Sequence, residues 1–182
     1  MVSKTFLNLD SKKQARIIAA LNQEFSSYSL AEAQVARIVK DAAISRGAFY
    51  KYFDDLDDAY LHLYKLAMTD IHRNLVGRLN NFNFDPNLYI EEVENFVNQI
   101  NQTDYYQFIK MHFLKNESLL AGKRKSPSRG SSSSTEENDR QWAAKVLSHE
   151  TIKLIMLNPE VKDMAITRLA ILLKQLSKKG DE

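Results

Sequence analysis

One stretch constrains this chain more than any other: residues 30–53, LAEAQVARIVKDAAISRGAFYKYF. Val35, Ile38 and Val39 recur at helical spacing, which gives a short first helix one apolar face. Ala42 and Ala43 are small enough for two helices to approach closely, and Ile44 is expected to plug the corner between them. Ser45 suits the N-cap of a second short helix, because its hydroxyl can accept a hydrogen bond from an otherwise unpaired backbone N–H. In that second helix Phe49 and Phe53 stand four residues apart, share a face and can pin the helix to a core. Arg46, Tyr50 and Lys51 are then left pointing outward. The spacing fits an ordinary helical hairpin, and it equally fits a helix-turn-helix whose second helix lies in a DNA major groove.

The literal residues favour the second reading. The run Ile38-Val39-x-x-Ala42-Ala43-Ile44-Ser45-Arg46-Gly47-Ala48-Phe49-Tyr50-x-Tyr52-Phe53 closely resembles the signature of TetR/AcrR-family transcriptional regulators. That signature runs isoleucine-alanine, then alanine-glycine-valine-serine, then a small-residue step into tyrosine-x-x-phenylalanine. The resemblance implies an all-α protein with an N-terminal helix-turn-helix domain of three helices (residues 1–53) and a C-terminal helical domain for ligand binding and dimerisation (residues 54–182). Three positions depart from the family pattern. Leu56 stands where a phosphate-holding lysine is usual, Ala43 where glycine is preferred, and Ala33 and Gln34 where a threonine precedes the first helix of the motif.

Within the second helix, Arg46 is the strongest candidate for a base contact, since arginine can pair bidentately with guanine. Ser45 and Ala48 flank it near the base edges. Gly47 either lets the backbone come close to DNA or is simply tolerated in a first turn. Tyr50, Lys51 and Tyr52 offer donors to phosphates, which position a protein without specifying sequence. The resemblance implies that Tyr50 is the tyrosine that touches DNA. Lys12 belongs to the same candidate set, with Lys13 and Arg16 beside it on the polar face of a helix expected over residues 11–26.

Charge is unevenly placed. Residues 1–52 hold eight Lys/Arg against four Asp/Glu, while the whole chain of 182 residues has a net charge of only +2, so the remainder is slightly acidic. A basic end beside a mildly acidic remainder suits one nucleic-acid-binding domain and one domain with another role. The absence of cysteine excludes disulfides, thiolate metal sites and cysteine nucleophiles. No apolar run approaches a membrane span, and the start Met1-Val2-Ser3-Lys4 does not read as a signal peptide, so a cytoplasmic protein is expected.

Taken in order, Ser11 and Gln14 form a capping-box pattern with Leu9 as a staple, opening the first helix. Ser29 and Glu32 make a second box, placing the start of the next helix near residue 30. Ile17, Leu21, Phe25, Val35, Ile38, Ile44, Phe49 and Phe53 are the expected small core. Asp55 is a good N-cap for a long helix over 55–80. Asp85-Pro86 reads as a cap with proline at the first helical position, opening a helix over 86–102, and Asp104 is expected to cap another to about residue 121. Residues 122–139 hold Ser, Gly, Pro and charge and read as a flexible loop. Helices over 135–157 and 159–178 complete the chain.

No catalytic set is legible. There is no phosphate-binding glycine loop, no nucleophile elbow and no histidine-glutamate zinc pattern, and no cofactor or metal site is expected. Tyr89, Tyr105, Tyr106, Phe108, His112 and Trp142 could line a pocket for an aromatic or cationic ligand, although aromatics at helical spacing equally serve as core. The last helix is apolar at Leu169 and Leu172 and again at Ile166 and Leu173, a stripe wider than one buried face needs. With Trp142, these residues form the expected dimer interface, in line with the last two long helices through which the family dimerises. The chain thus reads as a DNA-binding regulator, most simply a dimeric repressor that binds a palindromic double-stranded operator and responds to a small-molecule inducer. The alternative is a helical ligand- or protein-binding module without DNA binding, suggested by Leu56 and its acidic neighbours.

Overall fold

The computed structural model describes residues 2–71, 84–121 and 139–178, and every regular element among them is helical. These are α1 (Lys4–Leu7), α2 (Ser11–Ser27), α3 (Val35–Asp41), α4 (Arg46–Tyr52), α5 (Leu56–Ile71), α6 (Pro86–Ile100), α7 (Tyr106–Met111), α8 (Glu117–Ala121), α9 (Asp139–Leu157) and α10 (Lys162–Lys178). A π-helical turn, His112–Asn116, joins α7 to α8, and a 3-10 turn, Pro159–Val161, precedes α10. The loop expected over residues 122–139, apart from Asp139, lies outside the described residues, as do the expected C-terminal part of the 55–80 helix beyond Ile71 and the start of the 135–157 helix.

The chain forms two compact units. One comprises residues up to Ile71 together with Asp104–Leu120; the other contains α6, α9 and α10. The three-helix head expected over residues 1–53 is therefore part of a larger body that also includes α5, α7 and the π-turn. In this first unit α2 is central, packing on α3, α5 and α7. Ile17, Leu21, Phe25, Ile38, Phe49 and Phe53 are buried as their spacing predicts, whereas Ile44 is only half-buried. Phe6 of α1, an element the periodicity does not reveal, joins them with its ring 5.2 Å from Phe53 and 5.9 Å from Tyr52. Phe25, Tyr60 and Phe108 continue the aromatic packing at 5.0 and 5.1 Å.

Several helix starts differ from expectation. Asp10, not Ser11, caps α2 by accepting from Lys13 N–H, and the Gln14 amide instead donates to the carbonyls of Phe6, Leu7 and Leu9. Ser29 and Glu32 meet, but not as a helix-opening box: the Ser29 hydroxyl donates to the Glu32 carboxylate at 2.6 Å, the Glu32 N–H goes to the Ser29 carbonyl in an isolated turn, and α3 begins only at Val35. Hydrogen bonds from the Ser29 hydroxyl and amide hold the Glu32 carboxyl below the usual carboxylate range. Asp104 caps nothing: its carbonyl accepts from the Asn22 side chain, and α7 starts after Tyr105 without a side-chain cap. Asp55 and Asp85 behave as read, accepting from Asp58 N–H and Asn87 N–H.

The turn between α3 and α4 is a Schellman closure. Ile44 N–H reaches the Val39 carbonyl and Ala43 N–H that of Lys40, with Ala43 at φ 48°. This left-handed conformation is where glycine is at home, because a side chain there crowds the following carbonyl. Arg16 Nε donates to the Ala42 carbonyl at 2.7 Å and ties the turn to α2. In the second unit Tyr89, Val93 and Val97 of α6 pack with Ala144 and Ile155 of α9 and Ala165, Leu169 and Leu173 of α10.

Two outcomes follow for stability. Ala43→Gly removes about 1–2 kcal/mol of left-handed strain and costs about 0.4–1 kcal/mol in unfolded-chain entropy. A thermal melt should therefore rise by a degree or more. His62 packs against Phe6 and Phe53, and burial lowers its pKa below the ordinary 6.5, with Asp58 acting in the opposite sense. The unfolded chain then takes up a proton before the folded one does, so this contribution is complete above 6.5 and is lost as pH falls below it. Urea midpoints measured from about pH 7.5 to about pH 5 should fall less steeply in His62→Leu than in the native protein.

Candidate nucleic-acid interface

Helix α4 is placed by caps at both ends and by aromatic side chains along one face. Ser45 opens it, accepting from Ala48 N–H at 3.1 Å. Its C-terminal carbonyls are met from α1: Ser3 N–H donates to Tyr52 O at 3.0 Å and the Ser3 hydroxyl to Lys51 O at 2.6 Å. Phe49 and Phe53 are buried with their rings 5.4 Å apart. These anchors turn Ser45, Arg46, Gly47, Tyr50 and Lys51 to the outside, while Ala48 is half-buried. Lys12 is exposed on α2.

Arg46 and Tyr50 lie one turn apart and act as a pair, the guanidinium donating to the tyrosine hydroxyl at 3.3 Å. Tyr50 is 49% exposed, and its ring meets that of Phe49 edge-to-face at 5.3 Å. A Cβ added at Gly47 would meet nothing within 4 Å. No side chain of the protein therefore requires glycine there.

Two expected contacts differ, and a further cation is engaged inside the protein. Tyr52 is only 5% exposed and packs on Phe6, so it belongs to the core rather than to the outer face. Arg16 is engaged by the Ala42 carbonyl. Arg37, a cation that periodicity leaves unassigned, is held by Glu24 through contacts of 2.6–3.1 Å, with its guanidinium 3.8 Å above the Tyr28 ring. Such a pair, thirteen residues apart and on different helices, leaves no periodic signal. Beside α4, Leu56 is half-buried, and Asp54 and Asp58 form a reciprocal cap with Asp55, Asp54 N–H donating to Asp58 at 3.2 Å.

The expected pocket residues divide between the two units. Phe108 and His112 are buried in the first, where His112 Nδ1 is 3.0 Å from the Tyr60 hydroxyl and its ring 4.6 Å from that of Tyr64. Asn116 Nδ2 donates to the same hydroxyl at 3.3 Å, and its Oδ1 accepts from Leu30 N–H at 2.8 Å. Burial raises the pKa of the Tyr60 hydroxyl and, to a lesser degree, that of Tyr105. Tyr106 is half-buried. Tyr89 is core in the second unit, and Trp142 is exposed on α9. The expected dimer residues also divide: Leu169 and Leu173 face the core of their own unit, Ile166 and Leu172 are half-buried, and Met164 and Ile171 are the exposed apolar side chains of α10. Among the described residues, no three His, Asp or Glu side chains come together to hold a metal, and no helix is long and apolar enough to cross a membrane.

Residues 17–58 match the family model for bacterial regulatory proteins of the tetR family. No curated protein matches the sequence. A TetR family transcriptional regulator from Chloroflexus aurantiacus J-10-FL superposes with a TM-score of 0.53 at 18% identity, covering 98% of this chain and 97% of its own. SCO4942 from Streptomyces coelicolor gives 0.51 at 19% identity, over 90% and 97%. These likenesses establish the shared fold over nearly the whole length. The matched segment runs through most of α2, α3, the Ala43 turn and α4, the elements that build the outward face, so this part of the chain is similar to regulatory proteins of the tetR family and supports a DNA-binding transcriptional regulator.

Proposed function

We propose that the protein is a ligand-responsive repressor that binds a palindromic operator as a homodimer, with α4 as the reading helix. The observation that carries this reading is the outer face of α4. Arg46, Tyr50 and Lys51 project from it beside a glycine that the protein itself does not require. Arg46 would read a base edge, Tyr50 and Lys51 would contact phosphates, and Ser45, Gly47 and Ala48 would let the helix end approach closely. Lys12 adds a phosphate contact from α2.

Dimerisation through the C-terminal unit is supported by apolar side chains left outside its core. On α9 these are Trp142, Val146 and Leu154; on α10 they are Met164 and Ile171, with Leu172 beside them. A two-fold interface uses the same patch twice and would set two α4 helices on half-sites about 34–36 Å apart. An inducer bound in the C-terminal domain would shift the population towards an arrangement whose heads no longer match that spacing.

Two measurements test this reading on a duplex selected from a random pool by the native protein. Arg46→Ala should cost about 1–3 kcal/mol and blur preference at one base pair. Gly47→Ala should weaken binding while leaving the melting temperature unchanged or higher, since alanine is the better helix former by up to about 1 kcal/mol. Unchanged affinity in both variants would remove α4 from the interface. In the second measurement, Ile171→Glu should convert a dimer to a monomer in light scattering, with the helical circular dichroism retained and affinity for the selected duplex collapsing. A native protein that is monomeric at micromolar concentration would end the dimer proposal.

A further inference from the structure

Helix α3 lacks a cap of its own. Gln34 occupies the N-cap position in extended conformation, φ −133° and ψ 125°, and its side chain makes no capping bond. In a local capping box the third helical residue is Glu or Gln, and it reaches back to the N-cap N–H. Here that third residue is Arg37, which has no acceptor. The carboxylate comes from another helix instead. Glu24 of α2 is 3% exposed, and its Oε1 accepts from Gln34 N–H at 2.7 Å. The same carboxylate takes Arg37 Nε at 2.8 Å and Nη2 at 2.6 Å. Arg37 Nη2 also donates to the Glu32 carbonyl at 3.0 Å, and the Tyr28 ring covers the guanidinium.

The geometry points to Glu24 as a positioning residue for DNA binding: with Arg37 it forms a capping box split between two helices, which fixes where α3 begins and, through the Ala43 turn, where α4 is presented. This rests on the reading of α4 as the DNA-contacting helix. Glu24 touches no DNA in that reading; it acts through α3. Arg37 likewise serves the box rather than a phosphate. The Glu24 carboxylate supplies what a Glu or Gln at the third helical position would otherwise provide, while the Arg37 N–H, which an N-cap hydroxyl would accept, goes to the Gln34 carbonyl at 3.2 Å.

Rebuilding the box within α3 tests the inference. Glu24→Leu removes the carboxylate. The triple variant Glu24→Leu, Gln34→Thr, Arg37→Gln restores a Thr-x-x-Gln box at the start of α3, and its net charge equals that of the native chain. Affinity is measured for a duplex selected by the native protein and for random-sequence duplex, at a temperature where circular dichroism shows each variant fully folded. Exchange of the Gln34 amide is followed in the full-length protein without DNA. Glu24→Leu should bind the selected duplex about tenfold more weakly or worse, since a lost hydrogen bond to a charged group commonly costs that much. Its Gln34 amide should exchange faster, while the triple variant regains both selected-duplex affinity and amide protection. The salt slope on random duplex should stay the same in the triple variant, because the outward cations are untouched. Native affinity and native Gln34 protection in Glu24→Leu would overturn the inference. So would a triple variant that recovers neither, or one that does not fold. If the native protein selects no duplex, the DNA-binding reading fails, and the exchange measurement alone decides whether Glu24 sets the start of α3.

Discussion

Helix α4 has seven residues, and isolated helices shorter than about 12–15 residues are marginal in water. Its geometry therefore depends on contacts from outside the helix. Ser45 holds one end and Ser3 the other, and Phe53, with Phe49 packed on it, meets rings from α1 and α5. The same holds for α3, another seven-residue helix whose start relies on Glu24 and whose end relies on Arg16 and the Ala43 turn. The outward side chains can thus be varied without disturbing what holds the helices.

The division of labour among cations follows from that dependence. Arg16 and Arg37 are the arginines of α2 and α3, and each is engaged inside the first unit by a carbonyl or a carboxylate. Arg46 is the arginine on the outer face of α4, and its contact there is with Tyr50 on the same face. A count of basic residues in the N-terminal segment overstates the charge available to DNA, and the acids at positions 54, 55, 57 and 58 lie next in sequence to α4. Binding that depends on few phosphate contacts gains less from low salt than the composition suggests.

Much of this was legible in the sequence, because it depends on neighbours in the chain. Ser45 as cap, Phe49 and Phe53 as anchors, Asp55 and Asp85 as helix starts and the periodic core of α2 all follow from spacing of four residues or fewer. The features that were not legible pair distant residues or choose between equivalent faces. Phe6 enters the core only because α1 folds against α4, and Glu24 meets Arg37 across two helices. Tyr52 sits beside two outward residues, and nothing local says that its ring turns inward. On α10 the apolar positions circle the helix widely enough that periodicity alone places Leu169 and Leu173 on either side; the contacts with α6 and α9 put them inside.

The π-turn at His112–Asn116 gives the chain an unequal tolerance to changes of length. Asn116 joins the Tyr60 hydroxyl to the amide of Leu30, at a position set by the extra backbone that this turn contains. Loss of a single residue there would let α7 and α8 run together as a regular helix with later side chains facing nearly as before, because the wider turn is what takes up the extra residue, whereas a further inserted residue would turn them by about 100°. An insertion would then swing Asn116 away and leave Leu30 with a buried, unpaired N–H. Point replacements at the exposed positions 114 and 115 keep the residue count and leave that alignment alone. In this segment a residue is lost more readily than one is gained.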